Sequence, residues 1–235
     1  MIYLFRFGSN GGMTVFDHLQ TENPWLSLKD KPYVYSKDRA DIDSFNSKLA
    51  PESPYRIELD VVPEPFIGSP NAPIWLLNLN PGFAQSNLLQ KSHVVKMQKK
   101  SASLKASDFW FLDPQFSEAD GYPWWTKRLR EMMTEHGPRA IQDNFFCVEL
   151  FPYHSTSFKQ GKRLLESQGF TIKLVKAACH ARKNFIIMRR EKYWLKLVPE
   201  LGKAHRTELK NPRCAYITPN NLKNPTFVAD VLSSL

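Results

Sequence analysis

Between Pro73 and Phe83 the chain reads Pro-Ile-Trp-Leu-Leu-Asn-Leu-Asn-Pro-Gly-Phe. A short run of bulky apolar residues closed by a turn signal reads as a strand covered on both faces, as in a parallel sheet. Pro81 and Gly82 turn the chain out of the sheet just past the strand's carboxyl end. In open α/β sheets that edge is where ligands bind. Asn80 therefore stands at the edge that carries chemistry in such folds.

The rest of the chain repeats this pattern. Apolar runs at residues 144–150, 185–188 and 214–218 read as three further strands. Helical stretches are expected near residues 39–49, from Gly82 toward Lys105, and over 124–136, 160–183, 193–201 and 226–232. Short apolar strands alternating with helices predict an α/β fold, a three-layer α/β/α sandwich on a central four-stranded, mainly parallel sheet. The segment from Val62 to Gly68 reads as a turn-rich approach to the first strand. Residues 1–61 read as an N-terminal extension packed on a core domain of residues 62–235. Within the extension, residues 1–12 read as a flexible lead, with Met13 as an alternative start. No internal repeat is evident.

Composition narrows the function classes. A chain of 235 residues with 42% apolar and 13% aromatic content is globular and able to bury one large core. It holds no apolar run long enough for a membrane span, and its first residues do not read as a signal peptide. The three cysteines, Cys147, Cys179 and Cys214, are widely spaced and form no Cys-x-x-Cys pair. Zinc ribbons and four-cysteine clusters are excluded, and a reduced, cytoplasmic setting is expected. Neither a metal nor a cofactor is expected, and the chain is expected to be a monomer. The net charge of +9 is segregated. Residues 91–105 hold five Lys and no acid, and residues 159–213 carry a net +11, which leaves −7 for the remainder. Such clustering points to an anionic partner, most simply DNA or another nucleic acid; the alternative is a solvated basic surface.

The four expected strand ends would line one edge and bring candidate residues together. Asn80 can hold a water or bind a substrate without titrating; its ordinary role would be to cap a turn. Glu149 ends an apolar strand, where a carboxylate can activate water or form a salt bridge. His154, after Pro152 and Tyr153, can contact phosphate or move a proton. Phe83, Phe109, Trp110, Phe111, Trp124 and Trp125 can stack on bases or fill the core. In the loop Thr218-Pro219-Asn220-Asn221-Leu222, the leucine can wedge into a base stack or half-bury at a helix entry. Gly161-Lys162 lacks the upstream glycine of a phosphate-binding loop.

With Asn80-Pro81-Gly82 after the first core strand and Thr218-Pro219-Asn220-Asn221-Leu222 after the last, residues 62–235 resemble the uracil-DNA glycosylase superfamily, nearest its mismatch-specific and single-strand-selective branches. The resemblance implies that Asn80 positions the water that attacks the sugar carbon. Phe83 or an aromatic of the 109–111 cluster would stack on the flipped base. The 218–222 loop would enter the minor groove with Leu222 as its wedge. It also implies substrate contacts from Pro81, Gly82, Tyr153, His154, Thr218 and Asn220. Two positions depart from the family pattern. Thr218 stands where other branches carry His or Asn, and Glu149 stands where a uracil-reading Asn is expected. An ionised carboxylate there would repel the carbonyls of uracil. The expected activity is therefore hydrolysis of the N-glycosidic bond of a damaged or mispaired base. A non-catalytic nucleic-acid-binding module of the same fold is the alternative. An amino-methyltransferase, suggested by the similarity of Asn80-Pro81-Gly82-Phe83 to an Asn-Pro-Pro-aromatic turn, lacks its glycine-rich cofactor loop.

Overall fold

A computed structural model describes residues 15–235. The proposed flexible lead at residues 1–12 and the alternative start at Met13 lie outside the described residues. Five strands form one mixed sheet: β1 (Phe66–Gly68), β2 (Ile74–Asn78), β3 (Phe145–Glu149), β4 (Asn184–Ile187) and β5 (Arg206–Glu208). Their spatial order is β1-β3-β2-β4-β5. β1 runs antiparallel to β3, and the other neighbours are parallel. The helices are α1 (Val15–Gln20), α2 (Arg39–Asn46), α3 (Ser92–Ala102), α4 (Gly121–His136), α5 (Pro138–Asn144), α6 (Glu166–His180), α7 (Glu191–Leu197) and α8 (Phe227–Ser233).

Period-2 alternation divides the core. Ile74, Leu76, Phe145, Cys147, Ile186 and Met188 share one apolar cluster with residues of α4, α5 and α8. Trp75, Leu77, Phe146, Val148, Phe185 and Ile187 share the other with residues of α2, α6 and α7. Both faces are thus covered, which is why the central strands are apolar throughout. Phe16, Trp25, Ile42 and Ile57 of the extension belong to the second cluster. Tyr153 Oη donates to Asp38 Oδ2 at 2.7 Å and ties the extension to the segment after β3.

The sheet departs from the expected one at both edges. Phe66–Gly68 forms a strand rather than a turn-rich approach. Gly68 makes this possible: its φ is +96°, and a Cβ there would lie 2.6 Å from the Phe145 carbonyl oxygen. The fourth parallel strand is Arg206–Glu208, not residues 214–218. In the latter segment Ala215 takes a φ of 53°, which breaks an extended run, and Ile217 N donates to the Arg128 carbonyl of α4 instead of to a strand. Its apolar side chains, Ala215 and Ile217, pack into the cluster beneath α4 and α8. The actual edge strand is polar although Thr207 and Glu208 are buried, and Glu208 pairs with Arg206 and Lys223. No described helix is long and apolar enough to cross a membrane.

Candidate active site

The carboxyl ends of β2, β3 and β4 open into a cavity of about 510 Å³. Its floor follows from strand register. Asn78 pairs directly with Glu149 across β2 and β3, and both side chains follow Leu76 and Cys147 on the α4 face. Asn78 Nδ2 donates to Glu149 Oε1 at 2.8 Å. The two residues are only 4% and 3% exposed. Glu149 Oε2 and Asn78 Oδ1 are buried with no partner among the described residues, as is Nε of Arg189 just past β4. Such orphaned groups are rare in folded proteins and call for an explanation.

Electrostatics matches this burial. Desolvation pushes the Glu149 carboxyl up to about 8, against the opposing pull of Asn78 and the Arg189 charge. Burial also raises Glu64, which lies on the cavity wall. Gln98 Nε2 donates to Glu64 Oε1 at 2.6 Å. The Cys147 thiol is pushed well above its ordinary value by burial and by the neighbouring carboxyl, so it stays protonated and inert.

Asn80 sits above this floor. Its Nδ2 donates to the Pro81 carbonyl at 2.9 Å and to Ser155 Oγ at 3.2 Å. The donor end of the amide is thereby held, which leaves Oδ1 as the end offered to a water or ligand. His154 fixes the turn that carries Asn80. Its Nδ1 lies 2.7 Å from the Gly82 carbonyl and its Nε2 lies 3.0 Å from that of Val62. A neutral ring donates to one of these carbonyls, and an imidazolium donates to both.

Aromatic and glycine positions shape the walls. Phe83, Trp124, Trp125 and Phe158 line the cavity. Trp124 is half-buried, with the Arg128 guanidinium 4.6 Å from its ring centre. Gly121 lets Phe111 approach the start of α4, since a Cβ there would lie 2.3 Å from that ring.

Six of the expected site residues therefore meet in one cavity: Asn80, Pro81, Gly82, Phe83, Glu149 and His154. Four do not. Tyr153 is fully buried in the core cluster shared with α2 and α6, and bonds Asp38. Thr218 lines a separate hollow against α4 with Lys127 and Arg130. Asn220 is exposed. Leu222 is 0% exposed and bridges Leu209, so it packs in the core and presents no wedge. Phe109, Trp110 and Phe111 are likewise core residues. Leu89, an exposed large apolar side chain, follows the cavity-lining Asn87 by two residues. Reasoning from the sequence passed over Asn78 and Glu64. A lone amide inside an apolar strand was the available signal for Asn78; only the β2–β3 register supplies its partner.

No protein-family model, curated protein or solved structure matches this chain. Among the described residues no group of three or more His, Cys, Asp or Glu side chains is arranged to hold a metal ion.

Proposed function

We propose that the cavity receives a nucleobase extruded from DNA and that the protein hydrolyses its N-glycosidic bond. The observation that carries this reading is the stacking of two layers in one cavity. A buried polar floor with unpaired hydrogen-bonding atoms lies below, and an amide with its acceptor end free stands at the mouth. The floor is suited to reading the edge of a flat heterocycle, and the half-buried Phe83 and Trp124 offer faces for stacking.

Asn80 Oδ1 would accept a hydrogen bond from water and aim its oxygen at the sugar carbon. As the carbon–nitrogen bond breaks, the base leaves with the bonding pair, water supplies the new carbon–oxygen bond, and the proton that water sheds ends on the departing base. Donors on the floor stabilise the charge of the leaving pair in a dry setting, where fixed dipoles act strongly. Extrusion costs a few kcal/mol, least for a mispaired or damaged base, which favours such substrates. The basic segments 91–105 and 159–213 supply phosphate contacts.

Base release from a panel of labelled oligonucleotides, single- and double-stranded, tests the reading. It would include uracil, hypoxanthine, xanthine and oxidised pyrimidines. Asn80→Ala should lower release by about 10²-fold or more while leaving DNA binding intact. Salt-dependent DNA binding without release of any base would instead support the non-catalytic module.

A further inference from the structure

We infer that the seam between the N-terminal extension and the loop before α6 is a second binding site, built for a small amphipathic anion: an apolar ring or chain that carries one carboxylate, sulfonate or phosphate. It shares no lining residue with the strand-end cavity and stands independently of the nucleobase reading.

The seam encloses about 480 Å³, within the range of roughly 300–1,000 Å³ usual for small-molecule sites. Its floor is apolar. Ile42 of α2, Ile57, Phe151 and Leu165 are buried there. Phe45 and Leu49 are half-buried at the mouth, on α2 and the turn that follows it, at the four-residue spacing that puts side chains on one face. The polar group beneath the floor is already committed. Gln168 Nε2 donates to the Leu150 carbonyl at 3.1 Å, and Gln168 Oε1 accepts from Leu165 N at 3.0 Å. Gln160 Oε1, on the wall, is buried with no partner among the described residues and would accept from an N–H or O–H of the ligand.

The rim is cationic. Lys48, Lys159, Lys162 and Arg163 line the seam against one carboxylate, Asp41. That carboxylate is taken: Arg163 Nε and Nη2 donate to Asp41 Oδ1 at 2.9 and 2.6 Å. Lys48 Nζ donates to a neutral hydroxyl, Ser44 Oγ, at 3.0 Å, and Lys159 Nζ lies 5.5 Å from the Tyr55 ring centre. Lys162 is exposed. None of the three lysines has a carboxylate partner among the described residues. A neutral apolar ligand would cover the floor and leave these charges unmatched. A phosphate backbone would match the charges and leave the floor wet. An amphipathic anion satisfies both, its body displacing water from the floor and its head pairing at the rim.

Fluorescence titration of the intact protein tests the site with 8-anilinonaphthalene-1-sulfonate and with N-phenyl-1-naphthylamine, which has the same rings and no charge. The sulfonate should saturate one site and bind at least about tenfold more tightly than the neutral amine, the gain expected when several rim cations act together. Lys48→Glu combined with Lys162→Glu changes two exposed side chains and should remove that advantage while leaving the neutral amine unaffected. Phe83→Ala, in the strand-end cavity, should change neither. Dodecanoate and 2-naphthoate should compete with the sulfonate, and the stronger competitor tells a chain from a ring. Circular dichroism would confirm that each variant is folded. Equal binding of the two probes, loss of the signal in folded Phe83→Ala, full sulfonate affinity in the charge-reversed variant, or displacement by neither carboxylate would overturn the site. Displacement by a single-stranded oligonucleotide at lower concentration than either carboxylate would also overturn it and make the seam a nucleic-acid contact. Dimerisation in sedimentation that the charge-reversed variant abolishes would give the seam to a second copy of the chain instead.

Discussion

Glu149 is a carboxylic acid in a place that penalises its charge, and the penalty has a pH signature. Its folded-state value lies near 8, above its ordinary carboxyl value of 4.5. The folded state therefore holds a proton that the unfolded state has lost between those values. The associated stability is fully present below about pH 4.5 and is lost progressively as pH rises toward 8. Glu149→Gln should raise the melting temperature relative to wild type. The gap should widen from about pH 5 to about pH 8 and level off above it. Thermal unfolding across that range checks this, and a gap independent of pH would show that Glu149 is ionised in the folded protein. At this scale the sequence was partly legible. Asn80 and Glu149 stood out as polar residues ending apolar runs. Asn78 did not, because its role depends on which residue lies opposite it on another strand.

The strand–turn element from Ile74 to Gly82 was readable because buried parallel strands leave an unbroken apolar signature and Pro-Gly ends it. The 214–218 run carried a similar local signature and was read as a strand, yet it packs beneath α4. Apolar content reports burial, and burial against a helix looks the same as burial in a sheet. The true edge strand, Arg206–Glu208, is polar and short, so it gave no apolar signal. Leu222 belongs to the same lesson. Its complete burial and its bridge to Leu209 make it a core residue. Leu222→Ala should destabilise the fold by about 2–5 kcal/mol, measured by urea denaturation. A solvent-facing wedge would instead leave stability unchanged and weaken duplex binding.

For the whole molecule, charge is the property most open to measurement. Lys96 and Lys100 are exposed on α3 and make no ion pair among the described residues. Binding to an undamaged oligonucleotide should weaken with rising salt, with a logarithmic slope of about −0.9 for each phosphate neutralised. Replacing both lysines by Glu should weaken binding across all sequences and make that slope shallower by roughly two phosphates. Unchanged binding and slope would place the DNA elsewhere on the surface. Fluorescence anisotropy over a salt series measures both.

By itself the sequence determined the α/β class, the exposed carboxyl edge after β2, and the segregated positive charge. These arise from local patterns: alternation of strand and helix, a Pro-Gly turn, and runs of Lys and Arg. Tertiary structure alone decided the five-stranded mixed sheet, the pairing of Asn78 with Glu149, the holding of Asn80 by Ser155, and the burial of Tyr153 and Leu222. Each of these joins residues distant along the chain. Register and packing between separate elements, rather than the composition of any one of them, set which polar atoms meet and which are left free.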